Sequence, residues 1–270
     1  MPELPEVETT KNKIMLTLQG QRILRIEVRQ PHLRWVVSPQ IMRLQNEKVH
    51  ECSRRGKYII LKLDHGYLVI HLGMTGFFTI LEAHIPASKH DHIDVILENG
   101  IILRYNDIRR FGSWQWFECL EDCVLIQNLG VEPLSDEFKS DYLFNCFKHK
   151  KVACKIAIMD SKIVVGVGNI YASEALFLAK IHPEIPANQL NMQQLDNLVS
   201  SIKAVLLKAL KEGGTTIKDF KQPDGKIGYF VQQLSVYGRH GEKCYVCGTS
   251  ITSKVLGQRN SFFCPVCQKK

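Results

Sequence analysis

What this chain lacks narrows its class first. Nowhere do about 18 consecutive apolar residues occur, so no membrane-spanning helix is expected. The charged N-terminus carries no apolar signal core, and a soluble cytosolic protein is the expectation. Internal repeats and low-complexity tracts are absent. Acidic residues are outnumbered, 27 Asp and Glu against 35 Lys and Arg, for a net charge of +8. That balance suits a polyanion partner such as nucleic acid. A complete G-x-G-x-x-G fingerprint is also missing. Gly166 and Gly168 lead into a helix expected near Asn169, but no βαβ unit surrounds them, which argues against a dinucleotide cofactor. The same glycines leave backbone N–H groups free to meet a phosphate.

What is present reads as more than one domain, because 270 residues suffice for two domains and a small third module. From 22 to about 118 short apolar runs succeed one another: "RILRIEV", "KYIILKL", "GYLVIHL", "GFFTIL", "HIDVIL", "GIILRY" and "SWQWFE". Turn signals such as "LDHG" and "ENG" separate them, the pattern of a β-sandwich or barrel. Past "GVEPLSD" the period becomes helical, most clearly in "LDNLVSSIKAVLLKALKEGG" with its Gly-Gly stop. "TTIKDFKQPDGKIGYF" reads as a loop, since Pro223, Gly225 and Gly228 interrupt any period.

Of nine cysteines, Cys52, Cys119, Cys123, Cys146 and Cys154 are scattered and read as small hydrophobes. Cys244 and Cys247 form one C-x2-C knuckle and Cys264 and Cys267 another, with 16 residues between them. This spacing predicts a four-thiolate zinc site. Four thiolates close the coordination shell, so the single zinc is structural and folds a segment too short to fold alone. Catalysis must then lie elsewhere.

The opening "MPELPEVETT" has two readings. A helix over 3–19 accounts for Pro5, Glu6 and Glu8 in its first turn, for Val7, Ile14 and Leu18 on one face, and for Gly20 as its stop. It leaves Pro2 and Glu3 ahead of the helix. Removal of Met1 would make the Pro2 nitrogen a free secondary amine, able to attack an electrophilic carbon and form an iminium. Three loops add candidates. In "RRGKYII", Lys57 stands where a strand begins, beside Arg54 and Arg55, either solvated or serving a phosphate or proton transfer. In "HLGMTG", Met74 sits between glycines at an expected hairpin tip, placed for a wedge into base pairs. "DIRRFG" combines Arg109, a hydrogen-bonding cation, with the apolar plate of Phe111. In "KHDH", strand alternation is expected to put His90 and His92 on one face and Asp91 on the other. Together, on a basic chain, these features lean toward DNA.

Taken in order, "PELPEVET", "RRGKY", "HLGMTG", "KHDH", "RRFG", "VVGVGNIYASEALF", "GGTTIKDF" and the four-cysteine module resemble bacterial formamidopyrimidine-DNA glycosylase from end to end. The resemblance implies an α+β multidomain protein. Its parts would be an N-terminal β-sandwich with an N-terminal helix (1–130), a helix-two-turn-helix domain (131–235) and a four-cysteine zinc finger (236–270). A monomer binding double-stranded DNA in the interdomain cleft, in the bacterial cytosol, is implied as well. In that family the N-terminal prolyl nitrogen attacks C1′ of a flipped 8-oxoguanine or formamidopyrimidine nucleotide. The base is expelled, an iminium remains, and β- and δ-elimination cut the strand.

Carried onto this chain, the resemblance makes Pro2 the nucleophile and Glu3 the acid/base that helps open the sugar. Lys57 matches the lysine of β-elimination, and Arg259 in "GQRNSFFC" the arginine of δ-elimination and phosphate contact. His90, Lys150 and Asn169 match DNA contacts. Met74, Arg109 and Phe111 match the residues that fill the gap left by the flipped nucleotide, and "GGTTIKDFKQPDGKIGYF" the loop that closes over it. Two departures stand out. Ile108 replaces the proline of many relatives, freeing the backbone before Arg109, and "CKIAIMD" differs from "IKPWLMD" although Lys155 is kept. Two rivals are weighed. The endonuclease VIII branch, which prefers oxidised pyrimidines, usually opens "PEGPE", against Leu4 here. A non-enzymatic zinc-finger DNA-binding protein would leave Pro2 and Glu3 without a task.

Overall fold

Helix α1 (Leu4–Leu18) opens the chain, one residue inside the predicted 3–19 at each end, in a computed structural model that describes residues 2–83, 85–214 and 233–270. Its start is a reciprocal capping box. The Glu3 carboxylate accepts the Glu6 backbone N–H, and the Glu3 N–H donates to Glu6 Oε2 at 2.8 Å. Pro5 occupies the first turn, where a missing N–H is not felt. Val7, Ile14 and Leu18 are buried together, and Gly20 at φ +80° turns the chain out of the helix.

Eight strands follow: β1 (Ile23–Val28), β2 (Glu51–Arg55), β3 (Tyr58–Lys62), β4 (Tyr67–His71), β5 (Phe77–Leu81), β6 (Asp91–Leu97), β7 (Ile102–Asn106) and β8 (Ser113–Phe117). They form two antiparallel sheets, ordered β1-β6-β7-β5 and β2-β3-β4-β8. One core draws on both sheets and on α1, with Ile59, Leu61, Ile70, Phe78, Ile93, Val95, Leu103, Tyr105 and Trp114 all buried in it. This is the predicted sandwich. Trp114 meets the rings of Phe78 and Tyr105 edge-on at 5.8 and 5.5 Å. The middle of β3, "IIL", is apolar throughout because both of its faces are covered. Ile60 and Val69 pack away from the main core against Cys123, with Leu125 and Ile126 of the short helix α2 (Val124–Gln127) beside them. Strand β2 carries no apolar run and was not foreseen. It lies at a sheet edge, buries only Cys52, and shows the charges that protect an edge from mispairing.

Glu212 to Gly214 belong with this first unit, while a second compact unit is built on Asn128–Lys211 and the described C-terminal segment to Lys270. It contains α3 (Ser140–Phe147), α4 (Cys154–Ile158), α5 (Asn169–Leu178), α6 (Met192–Lys211) and the hairpin β9 (Thr252–Leu256) and β10 (Arg259–Phe263). In α6 a stripe of Leu195, Leu198, Val199, Ile202, Val205, Leu206 and Ala209 is buried, the helical period read from sequence. Among the described residues no helix is long and apolar enough to cross a membrane. Of the expected lid segment "GGTTIKDFKQPDGKIGYF", residues 215–230 lie outside the described residues.

Candidate functional site

Glu3 and Glu6 are 3% and 0% exposed. Buried carboxylates are costly unless hydrogen-bonded, and the capping box supplies those bonds while fixing both side chains. Pro2 is buried directly ahead of the cap. Every requirement of the helix start is met from Glu3 onward.

Lys57 lies in the two-residue turn between β2 and β3, where Gly56 takes φ +57°. The half-buried His71 on β4 is paired with Tyr58, and their rings stand 5.0 Å apart. The His71 Nδ1 accepts the Gly73 N–H at 3.0 Å, so the neutral ring carries its proton on Nε2. Burial, with the charges of Lys57 and Arg34 added, pulls its pKa from 6.5 to about 4. Because protonation favours the unfolded chain, His71 costs stability as pH falls from 6.5 toward 4. Thermal melts over that interval are expected to fall less steeply for His71→Asn than for the parent. Identical slopes would clear His71 of this role.

The loops bearing the wedge candidates are organised by Asp107, which is fully buried. Its Oδ1 accepts the Thr75 hydroxyl at 2.5 Å, and its Oδ2 accepts the Gly112 N–H at 2.8 Å and the Tyr105 hydroxyl at 3.1 Å. Thr75 Oγ1 in turn accepts the Arg109 N–H at 3.1 Å. Met74 is half-buried in a turn between β4 and β5. The expected hairpin tip is corrected: those strands belong to different sheets, so this is a crossover. Gly73, at φ +72°, lies so close to Phe111 that a Cβ would come within 2.4 Å of its backbone carbon. Exposed Arg109 stacks on exposed Phe111, with Cζ 4.6 Å from the ring centroid. Exposed Ile108 flanks them.

His90 is half-buried in the turn before β6 rather than on the strand, and the register shifts between Asp91 and Ile93. Strand alternation is therefore not the cause, yet His90 and His92 do share one side as expected for "KHDH". The rings of His90 and His92 meet edge-on at 6.4 Å. Asp91 instead accepts from Asn106 and from the Ser88 N–H. The Asp107 N–H donates to the His90 carbonyl at 3.0 Å, so one residue ties this turn to the wedge loops.

In the second unit Asn169 begins α5, behind Gly168 as its N-cap. Its side-chain oxygen accepts from Lys155 Nζ at 2.6 Å and its amide donates to the Asn260 carbonyl at 3.0 Å. Lys155, fully buried, also donates to Ser261 Oγ at 2.7 Å. One ammonium thus fixes the head of α5 to strand β10. Arg259 starts β10 after a Gly257-Gln258 turn in which both residues have positive φ, as a type I′ hairpin requires. Lys150 Nζ stands 3.6 Å from Asp160. A cavity of about 360 Å³ lies between Lys150, Asp160, Ile156 and Arg259.

The sulfurs of Cys244, Cys247, Cys264 and Cys267 lie within 4.8 Å of one another. Four thiolates about 2.3 Å from one zinc sit about 3.8 Å apart, so the set fits a tetrahedral ion. The Val246 and Cys267 N–H groups point at the first sulfur of each knuckle, at 3.4 and 3.5 Å, and so favour thiolate charge. Of the scattered cysteines, Cys52, Cys123 and Cys154 are buried and Cys146 is half-buried. Cys119 is exposed, against the reading as a small hydrophobe, because it falls in the surface connection after β8. Asp107, His71 and Lys155 were not assigned to the site from sequence. Their signal is the burial of a polar group, which composition and period do not carry.

Comparison with known proteins agrees along the chain. Family models match residues 1–114 (formamidopyrimidine-DNA glycosylase N-terminal domain), 129–221 (its H2TH domain) and 241–270 (zinc finger found in FPG and IleRS). Formamidopyrimidine-DNA glycosylase of Pasteurella multocida is 53% identical over 100% of both chains. That of Glaesserella parasuis is 55% identical over 100% of this chain and 99% of the relative. Among solved structures, Lactococcus lactis Fpg in complex with DNA containing an abasic site gives a TM-score of 0.91 at 35% identity, covering 99% of this chain and 100% of that one. The MutM (Fpg) protein of Thermus thermophilus gives 0.90 at 35% identity, covering 99% and 98%.

Proposed function

This chain belongs to the formamidopyrimidine-DNA glycosylase family, and from that premise we propose that Pro2, freed of Met1, is the nucleophile of its glycosylase and lyase reactions. The protein is a base-excision-repair glycosylase acting on duplex DNA, with oxidised purines as its substrates and one structural zinc. We place it in the bacterial cytosol or nucleoid, working as a monomer. The division of labour runs over residues 1–130 for chemistry, 131–235 for DNA binding and 236–270 for the zinc finger.

One observation carries the assignment of Pro2. The capping box and Pro5 satisfy the start of α1 from Glu3 onward, so Pro2 is not needed to cap the helix, and it stands buried one residue ahead of Glu3. The Pro2 nitrogen bonds to C1′ of the extruded nucleotide, and the C1′–base bond breaks. Glu3 takes the proton that the Pro2 nitrogen sheds and passes it to the ring oxygen as the C1′–O4′ bond breaks, so nitrogen and C1′ are left as an iminium, while the departing base takes a proton from solvent. Lys57 serves the first elimination, in which a C2′ proton is lost and the 3′ phosphate departs. Arg259 supports the second, which releases the 5′ phosphate. His90, Lys150 and Asn169 hold phosphates, while Met74, Arg109 and Phe111 fill the vacated stack and so offset the few kcal/mol spent on extrusion. When bound, zinc holds β9 and β10 in shape and takes no part at the sugar.

Borohydride reduces an iminium to a stable amine. Incubated with a duplex carrying 8-oxoguanine opposite cytosine, the protein is expected to give a borohydride-dependent covalent adduct whose DNA is attached at the N-terminal residue. Efficient cutting with no trapped adduct would exclude the amine mechanism.

A further inference from the structure

We propose that Gln268 is a positioning residue for Arg259, locking the zinc module to the helical part of its unit through one buried amide. The inference rests on the reading of Arg259 as the residue of the second elimination. Gln268 is fully buried, one residue beyond the last cysteine. Its Oε1 accepts the Cys264 N–H at 2.9 Å, inside the second knuckle, and its Nε2 donates to the Ile181 carbonyl at 2.9 Å, just past the end of α5. Both ends of the amide are therefore engaged, one in the metal module and one in the helical scaffold.

Two neighbours of Ile181 grip other parts of the same module. The His182 ring packs edge-on to Phe263 of β10 at 4.6 Å. Glu184 pairs with Lys254 of β9 and with Lys270, at 2.7 Å in the latter case, and these partners hold its pKa down to about 2. One short stretch, 181–184, thus references the knuckle, both hairpin strands and the last residue. The strand that begins at Arg259 ends at Phe263, next to the cysteine whose N–H Gln268 receives. A rotation of the module about the metal would leave four thiolates satisfied while carrying Arg259 away from Asn169 and Lys150. The zinc cannot prevent that rotation; the Gln268 bridge resists it at the knuckle, while the bonds of Asn169 and Lys155 to Asn260 and Ser261 resist it at the strand.

Gln268→Glu keeps an acceptor for Cys264 and loses the donor for Ile181, whereas Gln268→Leu loses both. The full zinc-loaded chain is given an abasic duplex, and single-elimination and double-elimination products are resolved by their different 3′ ends. For both variants the ratio of double to single product is expected to fall roughly tenfold, the scale of one buried hydrogen bond left unmade. Zinc content, measured with a chelating dye after thiol modification, should stay at the parent value, and so should the rate of borohydride trapping. A general folding defect would lower the trapping rate together with the ratio, whereas a positioning defect lowers the ratio alone. Arg259→Ala separates the premises. If it leaves the ratio unchanged, the reading of Arg259 fails. If it lowers the ratio while both Gln268 variants keep it with zinc bound, the positioning role fails. Zinc loss from both variants would assign Gln268 to metal retention and overturn the proposal.

Discussion

A chain whose N-terminal amine is acetylated, or which retains Met1, is expected to lose cutting at 8-oxoguanine by roughly 10³-fold or more, the scale on which removal of a covalent nucleophile acts. In an acylated nitrogen the lone pair is delocalised into the amide, and no iminium can form from it. Attack requires the unprotonated amine, whose lone pair is the one that acylation removes. Binding should survive the block, since Arg109, His90, Lys150 and Asn169 sit on other segments. Intact mass establishes the state of the N-terminus, and single-turnover cutting together with a binding titration reads the two effects separately. Pro2→Gly is the weaker test, because glycine still presents an amine. A blocked chain that cuts at the parent rate would remove Pro2 from the mechanism.

Cys247→Ala is expected to abolish zinc binding and lesion-specific DNA binding together, with the sandwich left folded. Cys247 is the exposed member of the four, so little packing is lost with its sulfur and the change isolates ligation. The module it serves is a two-stranded hairpin whose buried core is Val236, Cys244, Ile251 and Cys264. A core of that size cannot stand in for the metal, since structural zinc contributes about 10–16 kcal/mol of folding free energy in small modules. Without the hairpin Arg259 has no fixed position. The sandwich keeps its own core from α1 through Trp114, so its thermal transition should be unmoved. Elemental analysis, DNA titration and calorimetry report the three outcomes. Full incision by a zinc-free variant would show that the module is dispensable.

Several parts of this molecule were legible because they depend on spacing. The cysteine knuckles, the α1 stripe of Val7, Ile14 and Leu18, the runs of β3 and β4, and the Gly-Gly stop beyond α6 are periodic or punctuated by residues with one conformational use. Strand β2 was not legible, since an edge strand that buries a single residue leaves no alternation to read. The crossover at Met74 was misread as a hairpin because "GMTG" punctuates both kinds of turn. Which sheet receives the next strand is settled by distant pairing of β5 with β7. Residues of the candidate site divided the same way. Pro2, Arg109 and the cysteines are conspicuous by type or neighbourhood, whereas Asp107, Lys155 and Gln268 matter through what surrounds them in space.

The arrangement around Asp107 bears on how fast such a protein can inspect DNA. Tethers to Thr75, Gly112 and Tyr105 hold the turn of Met74 and the loop of Arg109 in place before any duplex arrives. Ordering a free residue costs about 1–2 kcal/mol, and a loose probe would meet that cost afresh at every base pair it tried. Here the ordering is completed once, at folding. On the proposed reading of Met74 and Arg109 as wedge residues, the backbone that presents them needs no further ordering when it meets a duplex.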